Sequence, residues 1–113
     1  MKKEVDLDQI MSSICQFAEN IFAAKLVKVI LYGSYARGDF DEESDVDVMI
    51  VVNMNEVSLR HYEALFTEFS SDASMKNEVL IVPLLCDKAR FEAQLKYAPF
   101  VQNVNAEGKV VYA

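Results

Sequence analysis

Apolar side chains at Ile10, Ile14, Phe17, Ile21 and Phe22 recur every three to four residues, as on a helix with one buried side. The spacing predicts a helix over about Asp8 to Ala24, capped by Asp6 or Asp8. Lys25 to Lys28 reads as a short junction. The rhythm then changes. Val29-Ile-Leu-Tyr32 is continuous, apolar and β-branched at two positions, which predicts a strand. Ser34 to Gly38 reads as a short helical turn and Asp39 to Ser44 as a polar loop. Asp45 to Val52 predicts a second strand. Beyond Asp47 it is apolar on both faces, as expected of a central strand covered from both sides.

Asn53 to Glu56 reads as a turn. Ser58 to Phe69 predicts a helix with Leu59, Tyr62, Phe66 and Phe69 inward. Ser70 to Asn77 reads as a polar connection and Glu78 to Leu85 as a third strand. Asp87 caps a helix reaching about Leu95, with Phe91 and Leu95 on one face. Pro99 opens a last short helical segment bearing Phe100, Val101 and Val104, and Gly108 ends it. Lys109 to Tyr112 is placed to form a short edge strand. The aromatic set Phe66, Phe69, Phe91 and Phe100 reads as core.

Gly33 to Ser44 is too short for a crossover helix, so the first two strands should run antiparallel. The helix between the second and third strands permits a parallel pair. The fold class expected is α/β (α+β), a small mixed sheet with helices packed on it. With 113 residues, 52% of them hydrophobic, the chain can build one core, and residues 1–113 read as a single domain.

The candidate chemistry lies where the first two strands meet. Gly33-Ser34 is followed, after residues 35–44, by Asp45-Val46-Asp47. Side chains alternate along a strand, so Asp45 and Asp47 point the same way, roughly 7 Å apart. Two carboxylates on one face can hold a divalent cation that bridges to phosphates. A Gly-Ser turn offers small residues and free backbone N–H groups to a phosphate. Taken singly, each residue has a plainer reading: Gly33 as a turn, Ser34 as a helix cap, the two aspartates as solvated strand-start residues.

Taken together, the stretch resembles the nucleotidyltransferase superfamily that includes DNA polymerase beta, and within it the minimal nucleotidyltransferases. Gly33, Ser34, Asp45 and Asp47 match the family's Gly-Ser, spacer, Asp-x-Asp signature. Arg37 and Gly38 match its Ala-Arg-Gly continuation, and Ser44 the serine before the first Asp. The resemblance implies transfer of NMP from an NTP, such as ATP, to a hydroxyl. It implies Asp45 and Asp47 as Mg²⁺ ligands in a site with room for one or two ions. Gly33, Ser34, Arg37 and Ser44 would be nucleotide-binding residues. Arg37 has two readings, a phosphate contact or a surface ion pair with Asp39, Asp41 or Glu42.

One position departs from the family. Active members usually carry another Asp on the third strand, and here Leu80 stands where it is expected. Glu78 is the acid of that strand and the candidate to replace it; otherwise it is a plain surface residue. Two functions follow. One is an enzyme that acts on a partner protein, as the antitoxin of a HEPN-domain toxin pair. The other is an impaired module of the same fold that works by binding a partner, or a copy of itself, through its apolar end.

Net charge is −7 and the pI about 4.6, which lacks the basic footprint of a general nucleic-acid binder. Cys15 and Cys86 lie in apolar runs and read as reduced, buried thiols of a cytoplasmic protein. Met1-Lys-Lys is followed by acids rather than an apolar leader, and no apolar run is long enough to cross a membrane. His61 reads as a surface helix residue.

Overall fold

The structure is a computed structural model and describes residues 4–113; the Met1-Lys-Lys segment read for a leader lies outside the described residues. Helix α1 spans Leu7–Phe22, with the Asp6 side chain accepting from the Gln9 N–H as its cap. A 3₁₀ turn, Ala23–Lys25, leads into β1, Leu26–Tyr32. After Gly33 come the short helix α2, Ser34–Arg37, and β2, Val46–Val52. Helices α3, Glu56–Arg60, and α4, Glu63–Asn77, precede β3, Ile81–Asp87. Helices α5, Lys88–Gln94, and α6, Pro99–Glu107, precede β4, Lys109–Tyr112.

Among the described residues four strands form one sheet in the order β3-β2-β1-β4. β1 pairs antiparallel with β2 and β4, while β2 and β3 run parallel. This is the mixed sheet that the connection lengths predicted. β2 is central, and Val46, Val48, Ile50 and Val52 are each fully buried on one face. They pack with Ile10, Ile14, Ala18 and Phe22 of α1 and Phe66 of α4. The other face, Ile30, Met49 and Val51, packs against Phe91 of α5 and Val101 and Val104 of α6. Helices therefore cover both faces, and burial of this apolar surface is the main force holding the layers.

Four boundaries differ from expectation. β1 begins at Leu26 rather than Val29, because Leu26 and Lys28 already pair with Val52 and Val51 of β2, and the Lys28 ammonium that made this stretch read as polar lies over the Phe91 ring, 5.8 Å from its centroid. The helix expected over Ser58 to Phe69 is two helices, broken at His61–Tyr62, where Tyr62 meets the Phe22 ring edge-on at 5.0 Å. The polar connection expected over Ser70 to Asn77 is instead the second half of α4. Glu78 is not on the third strand. It takes a left-handed conformation, φ 54°, that ends α4, and β3 starts three residues later. Phe100, read as core, is 50% exposed, and both cysteines are free and only half-buried. Among the described residues no helix is long and apolar enough to cross a membrane.

Candidate functional site

The motif residues meet where β1 ends and β2 begins. Gly33 has φ +77° and ψ −158°, a region open essentially to glycine alone. A Cβ on Gly33 would lie 2.5 Å from Asp47 Oδ2. The turn is thus folded directly against the Asp47 carboxylate, and the missing side chain is what permits the approach. Tyr32 is the cross-strand partner of Asp47, which brings the last residue of β1 beside the acid as well.

Asp45 stands one residue before β2 and Asp47 is its second residue. The pleat aims both side chains to the face that carries Met49 and Val51 farther along. Burial, then the nearby Asp45, push the Asp47 carboxyl above its usual range, and Arg37 partly offsets this. Tyr32 is pushed up to about 12 by burial and by Asp47. Two carboxylates crowded together in a half-buried corner favour a cation between them. They are hard oxygen donors of the kind Mg²⁺ takes. Among the described residues no group of three or more His, Cys, Asp or Glu is placed to hold a metal.

The remaining motif residues separate. Ser34 opens α2. Arg37 has both ion-pair partners on the surface: Nε to Asp39 at 3.1 Å, the strand-loop acid expected, and a guanidinium nitrogen to Glu107 of α6 at 3.5 Å. Glu107 was not readable from the motif, because it lies seventy residues on and only the packing of α6 brings it close. Ser44 turns inward on its own loop; its hydroxyl accepts from the Asp41 N–H at 2.9 Å and donates to the Asp41 carboxylate at 3.3 Å.

The β2–β3 register fixes what stands beside the aspartates. Val46 pairs with Ile81 and Asp47 with Val82, and the Val46 N–H donates to the Leu80 carbonyl. Leu80 is therefore the neighbour of Asp45, and its side chain is 56% exposed. Glu78 is exposed nearby and, with Asp45, Ser44 and Leu80, lines an open hollow of about 380 Å³. On the opposite side of the turn a cavity of about 260 Å³ separates Gly33 and Arg37 from α6.

Comparison with known proteins now decides the family. A family model described as a nucleotidyltransferase domain matches residues 9–110. The chain belongs to the nucleotidyltransferase domain family. It is similar to two Methanocaldococcus jannaschii proteins, both provisionally named protein adenylyltransferases. MJ0141 is 38% identical over 84 residues, 74% of this chain and 83% of that protein. MJ0604 is 34% identical over 91 residues, 80% of this chain and 83% of that protein. The fold is also that of a chain in a mutant MntA-HpeT toxin-antitoxin crystal structure. That chain has a TM-score of 0.54 and 15% identity, over 89% of this chain and 72% of that one. The family is thus the one that the resemblance of the Gly-Ser and Asp-x-Asp motif implied, and the mixed sheet the one expected from the connection lengths.

Proposed function

We propose that this protein is a Mg²⁺-dependent nucleotidyltransferase that moves AMP from ATP to a hydroxyl of a partner protein, as the antitoxin of a HEPN-domain toxin pair. The observation that carries the proposal is the contact of the Gly33 turn with the Asp47 carboxylate, since it sets the backbone of the turn directly against one of a pair of acids. The protein adenylyltransferase names of two relatives and the toxin-antitoxin assembly of a structural neighbour support the acceptor and the pairing. The acidity of the chain supports a nucleotide and a protein, rather than nucleic acid at large, as its partners. A single cytoplasmic domain, with a second copy as an alternative partner, fits the length and the half-buried free thiols.

In this reading Asp45 and Asp47 hold Mg²⁺, with room for one ion or two, which supplies positive charge to the phosphoryl oxygens and the leaving group. Gly33 leaves its backbone open to the triphosphate, and Ser34 offers its hydroxyl and N–H. Arg37 exchanges its exposed carboxylate partners for phosphate oxygens, which a guanidinium binds in bidentate fashion. Ser44 acts by holding the loop that delivers Asp45. The acceptor oxygen attacks the α-phosphorus, its bond to the pyrophosphate oxygen breaks, and pyrophosphate leaves. Glu78, on the Asp45 side, takes the hydroxyl proton. Purified protein with labelled ATP and a candidate HEPN partner is expected to label the partner, and to stop doing so when either aspartate becomes Asn. Undiminished labelling by those variants would refute the assignment.

Leu80 beside Asp45 favours a second reading, a module that keeps the nucleotide site and acts by binding its partner. Leu cannot hold a metal or accept a proton. The two readings divide on Leu80→Asp. Since the side chain is largely exposed, the change should leave folding intact. An enzyme that relies on Glu78, outside β3, in place of the usual strand Asp should gain transfer at least about tenfold, a typical lower figure for general-base participation being about 10²-fold. A binding module should gain none and should keep its partner affinity in Asp45→Asn.

A further inference from the structure

Between the Gly33 turn and α6 lies the cavity of about 260 Å³, walled by Tyr32, Gly33, Arg37, Phe100, Asn103 and Glu107. Its two ends differ in chemistry. The Gly33 and Arg37 end carries the guanidinium, paired here with the Glu107 carboxylate, and the turn packed against Asp47. The other end carries an aromatic ring and a carboxamide, neither charged. Phe100 is half exposed although Val101 beside it is buried. Its ring and that of Tyr32 stand perpendicular, centroids 5.7 Å apart at 82°. Asn103 is exposed one helical turn farther on, on the same side of α6 as Phe100 and Glu107.

We propose that this cavity takes the nucleoside half of the NTP, with the base stacked on Phe100 and its edge hydrogen-bonded by Asn103. The inference rests on the nucleotide reading given above and assigns two residues outside the motif to it. A ligand with a planar uncharged end and an anionic end matches both ends of the cavity once Arg37 exchanges Glu107 for phosphate oxygens. Base stacking on an exposed aromatic is worth about tenfold or more in affinity. The carboxamide offers one acceptor and two donors, the complement of adenine's amino group and ring nitrogen. The volume suits a base with part of its ribose, while the phosphates extend along Gly33 toward the aspartates.

The test is calorimetric titration with Mg·ATP and with Mg·tripolyphosphate, which carries the charge without the nucleoside. Wild type, Phe100→Leu and Asn103→Ala are compared, each checked by thermal melting. Phe100→Leu keeps apolar bulk at a half-exposed position, and Asn103→Ala changes an exposed helix residue, so at least one stays folded. Wild type is expected to bind ATP about tenfold or more tightly than tripolyphosphate, and the variants to lose that margin while binding tripolyphosphate as wild type does. Equal binding of the two ligands by wild type, or a margin kept in both variants, overturns the subsite and leaves the phosphate site standing. No binding of either ligand overturns the subsite together with the nucleotide reading.

Discussion

Gly33 is the residue on which most depends. Its backbone region and its contact with Asp47 each exclude a side chain. Gly33→Ala should therefore cost about 1–3 kcal/mol of stability, read as a lowered midpoint in urea, and should abolish Mg²⁺-dependent nucleotide binding. Asp47→Asn should behave differently. It removes one of two carboxylates that oppose each other, so its melting temperature should equal or exceed that of wild type while the nucleotide site is lost. A fall in stability as large as that of Gly33→Ala would show that Asp47 is held by structural contacts instead. Cys15 and Cys86 supply an independent check. Burial raises both thiols, with Glu19 and Asp87 adding to it. The thiolate is the reactive form, so alkylation by iodoacetamide at pH 8 should be slower than for a free cysteine, and should rise only at higher pH. Reaction at the rate of free cysteine would contradict the packing around both.

The elements were readable from the sequence where one physical signal dominated. The period-3.6 run of α1 and the unbroken apolar run of β2 each left a single solution, and both appear within two residues of expectation. The second half of α4 did not, because its apolar stripe is thin: beyond Phe66 it buries Ser70, a polar residue. What holds this half is hydrogen bonding across elements. The Ser74 hydroxyl donates to the Ser70 carbonyl at 2.6 Å and accepts from the Ile81 N–H at 2.9 Å. It ties α4 to the first residue of β3, a link that no periodicity could reveal. Ser74→Ala leaves the Ile81 N–H without its partner and should cost about 1–3 kcal/mol in chemical denaturation; a change under about 0.5 kcal/mol, ordinary for a surface site, would refute the tie. The candidate site divides in the same way. Gly33, Asp45 and Asp47 are close in sequence and were grouped by their motif, and the contact of Gly33 with Asp47 lies within that short stretch. Phe100, Asn103 and Glu107 come to the turn only through the packing of α6 on β1, and Phe100 was misread because a lone aromatic on a short helix does not reveal which side is covered.

The assembled molecule sets an acidic two-carboxylate corner at one end of a sheet whose helices cover both faces. Its net charge of −7 makes polyanions poor partners unless a cation intervenes. Filter binding to duplex DNA or single-stranded RNA at moderate salt should therefore detect nothing; salt-sensitive retention would overturn the view that its partners are a nucleotide and a protein. The central claim is that the turn at Gly33 and the Asp45–Asp47 pair form a working nucleotide site. Isothermal titration of the folded protein with ATP, with and without Mg²⁺, tests it most directly when repeated on Asp47→Asn. The account predicts Mg²⁺-dependent binding by wild type that disappears in a variant melting at or above the wild-type temperature. Folded wild-type protein that binds no ATP in Mg²⁺, or binds it equally well after Asp47→Asn, would contradict it.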